Sequence, residues 1–271
     1  KVPILLVNAT TLNTGRNWRF EAVRMGEPAH GGTAASLDPT VRLAQPPSYD
    51  AIVPHQASME LGLAVAASAC VPVLFPPLAI SGLYDDDVRV QLVDGGVHDN
   101  QGIQGLVDSG CTHLFVSDAC GQLDDDREPG TSPLSVVPRT NGILMERVRE
   151  EQIMRLLSEP TRDAVVVHLR EGVQPRTIGW LDANGNVGAP AVPPPASSTN
   201  PAGTGIAKEV QERLSRIRTD LDAFTEVEAS ALMFDGHALT DHALRYRATW
   251  PGAPDVRSQE WPFLAVGPLM Q

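Results

Sequence analysis

Short apolar runs alternate along this chain with stretches whose apolar positions recur at helical spacing. Continuous apolar runs of four to eight residues are typical of buried strands. The predicted strands are 2–7, 18–23, 90–93, 112–117 and 164–169. The predicted helices are 57–70, 101–108, 141–158, 206–217 and a long one from 225 towards 247. The order strand, turn, helix, strand from 90 to 117 is typical of a parallel sheet, so the pattern predicts an α/β fold.

Two stretches interrupt this pattern. Residues 24–54 are rich in glycine, proline and alanine and are predicted to be mostly loop. Residues 182–205 have the low-complexity composition of an exposed insertion without packed structure. Nothing else in the sequence indicates a second domain, and we therefore predict a single domain over 1–271.

The clearest chemical signal lies at the end of the predicted strand 90–93. Asp94 follows this strand directly, and Gly95 and Gly96 come next. Because a Gly-Gly pair permits a sharp turn and a close backbone approach, it would present the Asp94 carboxylate at the carboxyl end of a strand, where sites of α/β sheets gather. Taken alone, an Asp-Gly-Gly sequence is more often only a turn.

Further polar residues follow. Asp99 or Asn100 can cap a helix that begins near 101, and Asn100 is a candidate to line a site around the turn. Asp118 follows the next predicted strand and is a second carboxylate candidate for the same site. His98 could act as the histidine of a triad, but its place within the turn favours a structural role.

A second stretch supports a chemical role for Asp94. Residues 61–80 contain Ala67-Ser68-Ala69-Cys70 and then Val71-Pro72-Val73-Leu74-Phe75-Pro76-Pro77. Together with the Asp-Gly-Gly turn, this block resembles the patatin-like phospholipases. Other parts of the chain also look like segments of that family: Pro3-Ile4-Leu5-Leu6-Val7-Asn8-Ala9-Thr10, Thr14-Gly15-Arg16, Ile217-Arg218-Thr219-Asp220-Leu221-Asp222-Ala223-Phe224 and Val227-Glu228-Ala229.

The resemblance implies a three-layer patatin-like fold, with a mostly parallel sheet flanked by helices. It also implies acyl ester hydrolysis, as in lipid degradation, by a serine–aspartate dyad without histidine or cofactor. Asp94 would then be the catalytic aspartate. The family's serine lies in a G-x-S-x-G turn, and no serine of this chain has glycine at both flanking positions. The chain therefore resembles the C-terminal part of such a domain, incomplete at its N-terminal side.

Ser68 is the strongest candidate for a nucleophile among the serines, because it lies at the end of a predicted helix in the patatin-like block 61–80. Without flanking glycines it is better explained as a small residue that allows a helix to pack closely on a sheet. We therefore expect the nucleophile and the oxyanion donors to lie upstream or on a partner chain. This chain alone would then be inactive. The alternative is a binding or scaffold protein that kept the fold and lost the nucleophile.

Composition limits the partners. The net charge is -12 at pH 7 and the pI is near 4.9, which argues against nucleic acid and against broad attraction to anionic membranes. The expected partner is a lipid or another acyl ester, with a peripheral membrane contact left open. The three cysteines form neither ligand spacing nor an even disulfide framework, and we expect reduced thiols in the cytoplasm. No cluster of histidine and acidic residues has metal-ligand spacing, so no metal is expected.

Overall fold

A computed structural model of the chain describes residues 3–28, 43, 47–85, 87–120, 123, 125–173, 179–188, 204–217, 223–250 and 261–270. Its contacts divide the chain into two compact units. Unit 1 comprises Lys1–Cys111 and Asp126–Ser158, and unit 2 comprises Thr112–Asp125 and Glu159–Gln271. Each unit has its own sheet, and buried apolar clusters lie within each of them, one on the sheet of unit 1 and two in unit 2.

Unit 1 is built on a five-stranded sheet with the strand order β3-β2-β1-β5-β4. Its strands are β1 (Val7–Thr11), β2 (Asn17–Phe20), β3 (Met25–Gly26), β4 (Leu78–Ser81) and β5 (Arg89–Asp94). All of the pairings in this sheet are antiparallel. The central strand β1 forms a hairpin with β2 on one edge, and on its other edge Ala9 lies opposite Asp94 of β5.

The predicted three-layer patatin-like fold with a mostly parallel sheet is therefore wrong. That prediction took the order of elements from 90 to 117 as one parallel crossover. Among the described residues β5 pairs only with β1 and β4, and the next strand along the chain belongs to unit 2. Which strands become neighbours is decided by contacts between distant parts of the chain, and an apolar run carries no information about its partner.

Helices cover the sheet of unit 1 and extend from it. They are α1 (Pro54–Ala57), α2 (Leu61–Ser68), α3 (Gly96–Asp99), α4 (Ile103–Asp108) and α5 (Pro133–Ser158). Ala64 and Ala67 of α2 are buried in the cluster formed with the sheet, and α2 contacts both β1 and β5. The largest fully buried side chains of the cluster are Trp18, Met25 and Leu92. Burial of this apolar surface is the main term that stabilises unit 1.

Unit 2 contains two parallel strands, β6 (His113–Asp118) and β7 (Asp163–His168). Its helices are α6 (Lys208–Leu214), α7 (Glu226–Tyr246) and α8 (Gly267–Met270). The capping box predicted at the start of α7 is confirmed, since Thr225 Oγ1 accepts from the Glu228 N–H and Glu228 accepts from the Thr225 N–H. Buried valines of β7 pack against Ala243 of this helix.

The first strand begins later than predicted. The apolar run 2–7 was expected to form it, but β1 starts only at Val7, and Ile4 and Leu5 are 83% and 58% exposed. Strand position follows from the hairpin with β2, whose loop contains Gly15 at a φ of +69°. The hairpin register thus buries Ala9 and Thr11 rather than the more apolar residues before them.

Several predicted segments lie largely or partly outside the described residues. They are the insertion at 182–205, of which 182–188 and 204–205 are described, the loop 24–54, and the segment 217–224, of which 218–222 is not described. In the described part of the insertion the main chain turns between bridged residues Leu181 and Val187. Within the described residues, no helix is both long enough and apolar enough to cross a membrane.

Candidate functional site

Asp94 is the last residue of β5, one position beyond the end of the predicted strand 90–93, and hydrogen bonds to two other segments hold it there. Its N–H donates to the Cys70 carbonyl at 2.9 Å, and its carbonyl accepts from the Thr10 hydroxyl at 2.9 Å. The next amide, that of Gly95, donates to the carbonyl of Ser68 at 3.1 Å. These bonds tie the end of β5 both to β1 and to the end of helix α2.

The two glycines after Asp94 are required by space and not by backbone angle. Gly95 has an ordinary helical conformation, with φ -63° and ψ -27°. A Cβ on Gly95, however, would lie 2.5 Å from the carbonyl oxygen of Asn8, and a Cβ on Gly96 would lie 2.6 Å from Asn100 Oδ1. The predicted close backbone approach is thus confirmed at Gly95, whereas Gly96 lies close to the side chains of Asn100 and Asp94.

The carboxylate of Asp94 is half-buried. Its Oδ1 accepts a hydrogen bond of 2.7 Å from the Gly96 N–H, and no described residue donates to its Oδ2. Burial raises the pKa of this carboxyl above its ordinary value, and the hydrogen bond from Gly96 opposes that shift. One oxygen is therefore fixed by the main chain, while the other remains available to a proton donor.

Around this carboxylate lies a cleft of about 340 Å³, which we call the Asp94 cleft. Its walls include Asn8, Ser68 and Asn100 beside the two glycines. The structure thus brings together Asp94, Gly95, Gly96 and Asn100 of the predicted site. Asn8 was not predicted to belong to it. It follows directly on the first residue of β1, and only the long-range pairing of β1 with β5 carries it there.

Ser68 is also part of the cleft wall, although sequence reasoning favoured a packing role for it. It is the last residue of α2, and the alanines at 64 and 67 supply the small packing surface on the sheet. A hint was available in the sequence, since Ser68 and Cys70 stand in the same family-like block. Backbone bonds from Asp94 to Cys70 and from Gly95 to Ser68 join this block to the Asp-Gly-Gly turn.

Asp99 also lines the Asp94 cleft. It is almost fully buried, and its two oxygens accept from the N–H groups of Ile103 at 3.0 Å and Gln104 at 2.9 Å. Helix α4 begins at Ile103 with Gly102 as its N-cap residue, later than predicted, and the side chain of Asp99, one of the two predicted caps, bonds its first N–H groups. Burial raises the pKa of Asp99, and the two N–H bonds act against that shift. Asp99 thus anchors the helix that follows the turn.

The other predicted residues lie elsewhere. Asp118 ends β6 in unit 2, where it is buried and its Oδ1 accepts from the Cys120 N–H at 3.3 Å. It is not among the described residues that line the Asp94 cleft. His98 is not in that wall either, and its carbonyl accepts from Gln152 of α5 at 3.1 Å. Among the described residues, no three histidine, cysteine or acidic side chains are grouped as a metal would need.

Comparison with known proteins does not assign this site to a family. The sequence matches no family model, and no curated protein is similar enough to count as a relative. The site therefore has to be interpreted from its own residues.

Proposed function

We propose that this chain supplies the general base, Asp94, of a site that hydrolyses acyl esters, with lipids among its substrates. The observation that carries the proposal is the state of the Asp94 carboxylate. Its Oδ1 is held by the Gly96 N–H, its Oδ2 has no donor among the described residues, and burial raises its pKa. A base that is oriented and partly desolvated is suited to proton transfer.

In the proposed reaction a serine hydroxyl attacks the ester carbonyl while its proton passes to Asp94. The tetrahedral intermediate then collapses, the C–O bond to the alcohol breaks, and the proton returns to that alcohol as it leaves. Water repeats the cycle on the acyl-enzyme. A base in this role contributes a factor of about 10² to 10⁴ in rate. We propose that the nucleophilic serine comes from outside residues 1–271, because no serine here has the flanking glycines of an elbow.

The first experiment tests where the nucleophile lies. Residues 1–271 alone should neither turn over a short-chain p-nitrophenyl ester nor react with a fluorophosphonate serine probe. Ser68→Ala is the control, since Ser68 shares the Asp94 cleft. Turnover with labelling that disappears in Ser68→Ala would reject an outside nucleophile but would leave Asp94 as the base.

The second experiment tests the role of Asp94 as the base, in the full-length protein that contains this chain. Asp94→Asn should lower kcat by about 10²-fold or more, because the amide keeps the acceptor for Gly96 but takes no proton. The acidic limb of the kcat/KM profile should lie above the ordinary aspartate range, given the raised pKa of Asp94. Asp87→Asn, an exposed aspartate before β5, is the matched control and should be fully active. Unchanged activity in a folded Asp94→Asn protein would reject the proposal.

A second candidate function is binding without catalysis. It is favoured by one observation, the absence of a G-x-S-x-G serine from the sequence. In that case the Asp94 cleft would hold an ester or a fatty acid without turnover, and the full protein would also lack probe labelling. For either function we propose the cytoplasm as the location, with peripheral membrane contact, because the three cysteines are not disulfide-bonded.

A further inference from the structure

Unit 2 contains a larger cavity, of about 440 Å³, that the proposed ester chemistry does not use. It opens at the carboxyl ends of the two parallel strands, where Asp118 of β6 lies in register with His168 of β7. Helix α7 forms another wall with Leu232, Asp235 and Leu239. The carboxyl end of parallel strands is a usual place for ligand sites, and this volume lies within the range of small-molecule sites.

The unusual residue of this cavity is Asp235. It lies in the middle of α7 with no exposed surface. Its Oδ2 accepts from Gln211 Nε2 at 3.2 Å, whereas its Oδ1 is buried without a hydrogen-bond partner in the described part of the chain. Burial, with a smaller contribution from the charge of Glu171, raises the pKa of Asp235 to about 6. A buried acceptor of this kind is costly unless something donates to it.

The rest of the wall indicates which donor fits. Most of the lining is apolar, and a second buried carboxylate, that of Asp118, is part of it. Among the described lining residues there is no lysine or arginine, so only His168 could carry a positive charge. The Asp235 carboxylate in this apolar surrounding favours a cation, because an opposite charge compensates both its missing hydrogen bond and the burial of its charge.

We propose that this cavity, the Asp235 cavity, binds a small primary amine with an aliphatic or aromatic body. The ammonium group donates to Oδ1 of Asp235, and the body lies against the leucines of α7 and the apolar ends of β7. No bond is made or broken. The proposal is independent of the ester chemistry in unit 1.

Hexylamine at pH 8 is a suitable probe. At this pH the amine is protonated, and Asp235, whose pKa is about 6, is ionised. We expect saturable binding by calorimetry or by chemical-shift titration of the whole chain. Hexanoate, which has the same length and the opposite charge, should bind at least about ten-fold more weakly. In Asp235→Asn the affinity for hexylamine should also fall about ten-fold or more. Asp241→Asn is the matched control, since Asp241 is on the same helix, pairs with Arg245 and does not line the cavity.

A second variant keeps the test valid if Asp235→Asn folds poorly. Gly236 lines the cavity in α7, and a Cβ there would meet no atom within 4 Å. Gly236→Leu places a larger side chain at the cavity wall and should weaken hexylamine binding. The proposal is wrong if hexylamine does not saturate, if hexanoate binds as well, or if folded Asp235→Asn and Gly236→Leu both bind like the wild type.

Discussion

The two cavities each contain an aspartate whose pKa is raised by burial, yet they are built in opposite ways. In the Asp94 cleft the main chain fits so closely that a single added methyl group would touch a carbonyl oxygen. The Asp235 cavity is more spacious, and its buried carboxylate has an oxygen without a hydrogen-bond partner in the described chain. Close backbone contacts shape the Asp94 cleft, whereas the Asp235 cavity has free volume around its lining side chains. Substitutions should therefore act through sterics in unit 1 and through charge in unit 2.

The largest effect is expected from Gly95→Ala. The new Cβ would be 2.5 Å from the Asn8 carbonyl oxygen, and neither backbone segment can move without breaking the β1–β5 pairing. We expect a loss of about 3 kcal/mol in the free energy of unfolding, measured by urea denaturation. Gly236→Ala is the matched control in α7, where there is open space, and should gain about 0.5–1 kcal/mol. Equal effects of the two substitutions would remove the contrast between a tight and a roomy site.

The next effect is a pH dependence caused by Asp235. Its pKa is about 6 in the folded state, against about 3.9 in an unfolded chain, so the folded state binds this proton more tightly. Stability from this group is therefore fully present below about pH 4 and is lost as the pH rises through about 6. Asp235→Asn lacks this titration. Relative to the wild type, it should gain about 2 kcal/mol between pH 4 and pH 7.5 in thermal or urea unfolding.

Asp241→Asn serves as the reference for that experiment, because Asp241 is paired at the surface with Arg245. Its difference from the wild type should change little over the same pH range. If Asp235→Asn and Asp241→Asn followed the wild type in parallel, the buried carboxylate of unit 2 would have an ordinary affinity for protons. Charge would then no longer distinguish the two cavities.

The smallest effect concerns the support of the Asp94 cleft. Asp99→Ala removes both acceptors at the start of α4 and leaves the N–H groups of Ile103 and Gln104 without their partner. We expect a loss of about 1.5 kcal/mol, with a local rise in amide exchange in α4. Asp99→Asn keeps one acceptor oxygen and should lose less. An unchanged exchange rate in Asp99→Ala would show that the tight site does not depend on this cap.

Whether a feature could be predicted from the sequence depends on how far apart in the chain the interacting residues lie. The strand that leads to Asp94, the side-chain cap by Asp99, which was one of two candidates, and the capping box at Thr225 depend on residues within a few positions, and the sequence indicated all three. The sheet type and the position of β1 depend on pairing between residues such as Ala9 and Asp94, and both predictions were wrong. Local patterns do not encode these distant partners.

The same distinction applies to the sites. Asp94 was found because glycines beside an aspartate leave a local signal. Asp235 was not found, since within α7 it has the appearance of any polar helix residue. Its burial comes from packing with Gln211 and the strand ends, which only the folded unit 2 provides. Ser68 and Asn8 were assigned no role in the site for the same reason, as the cleft forms only when three separate segments meet.

The pairing of Ala9 with Asp94 also has a kinetic consequence. β1 meets β2 through a short hairpin, whose closure is fast, but its other edge waits for a partner about 80 residues further along the chain. During synthesis that edge stays open until residue 94 has left the ribosome. The nascent chain therefore passes through a period in which β1 has one unpaired edge, the type of edge at which chains associate wrongly. The polar residues Asn8, Thr10 and Thr11 along this strand reduce that risk, because a polar strand is a weaker template for association than the apolar run that precedes it.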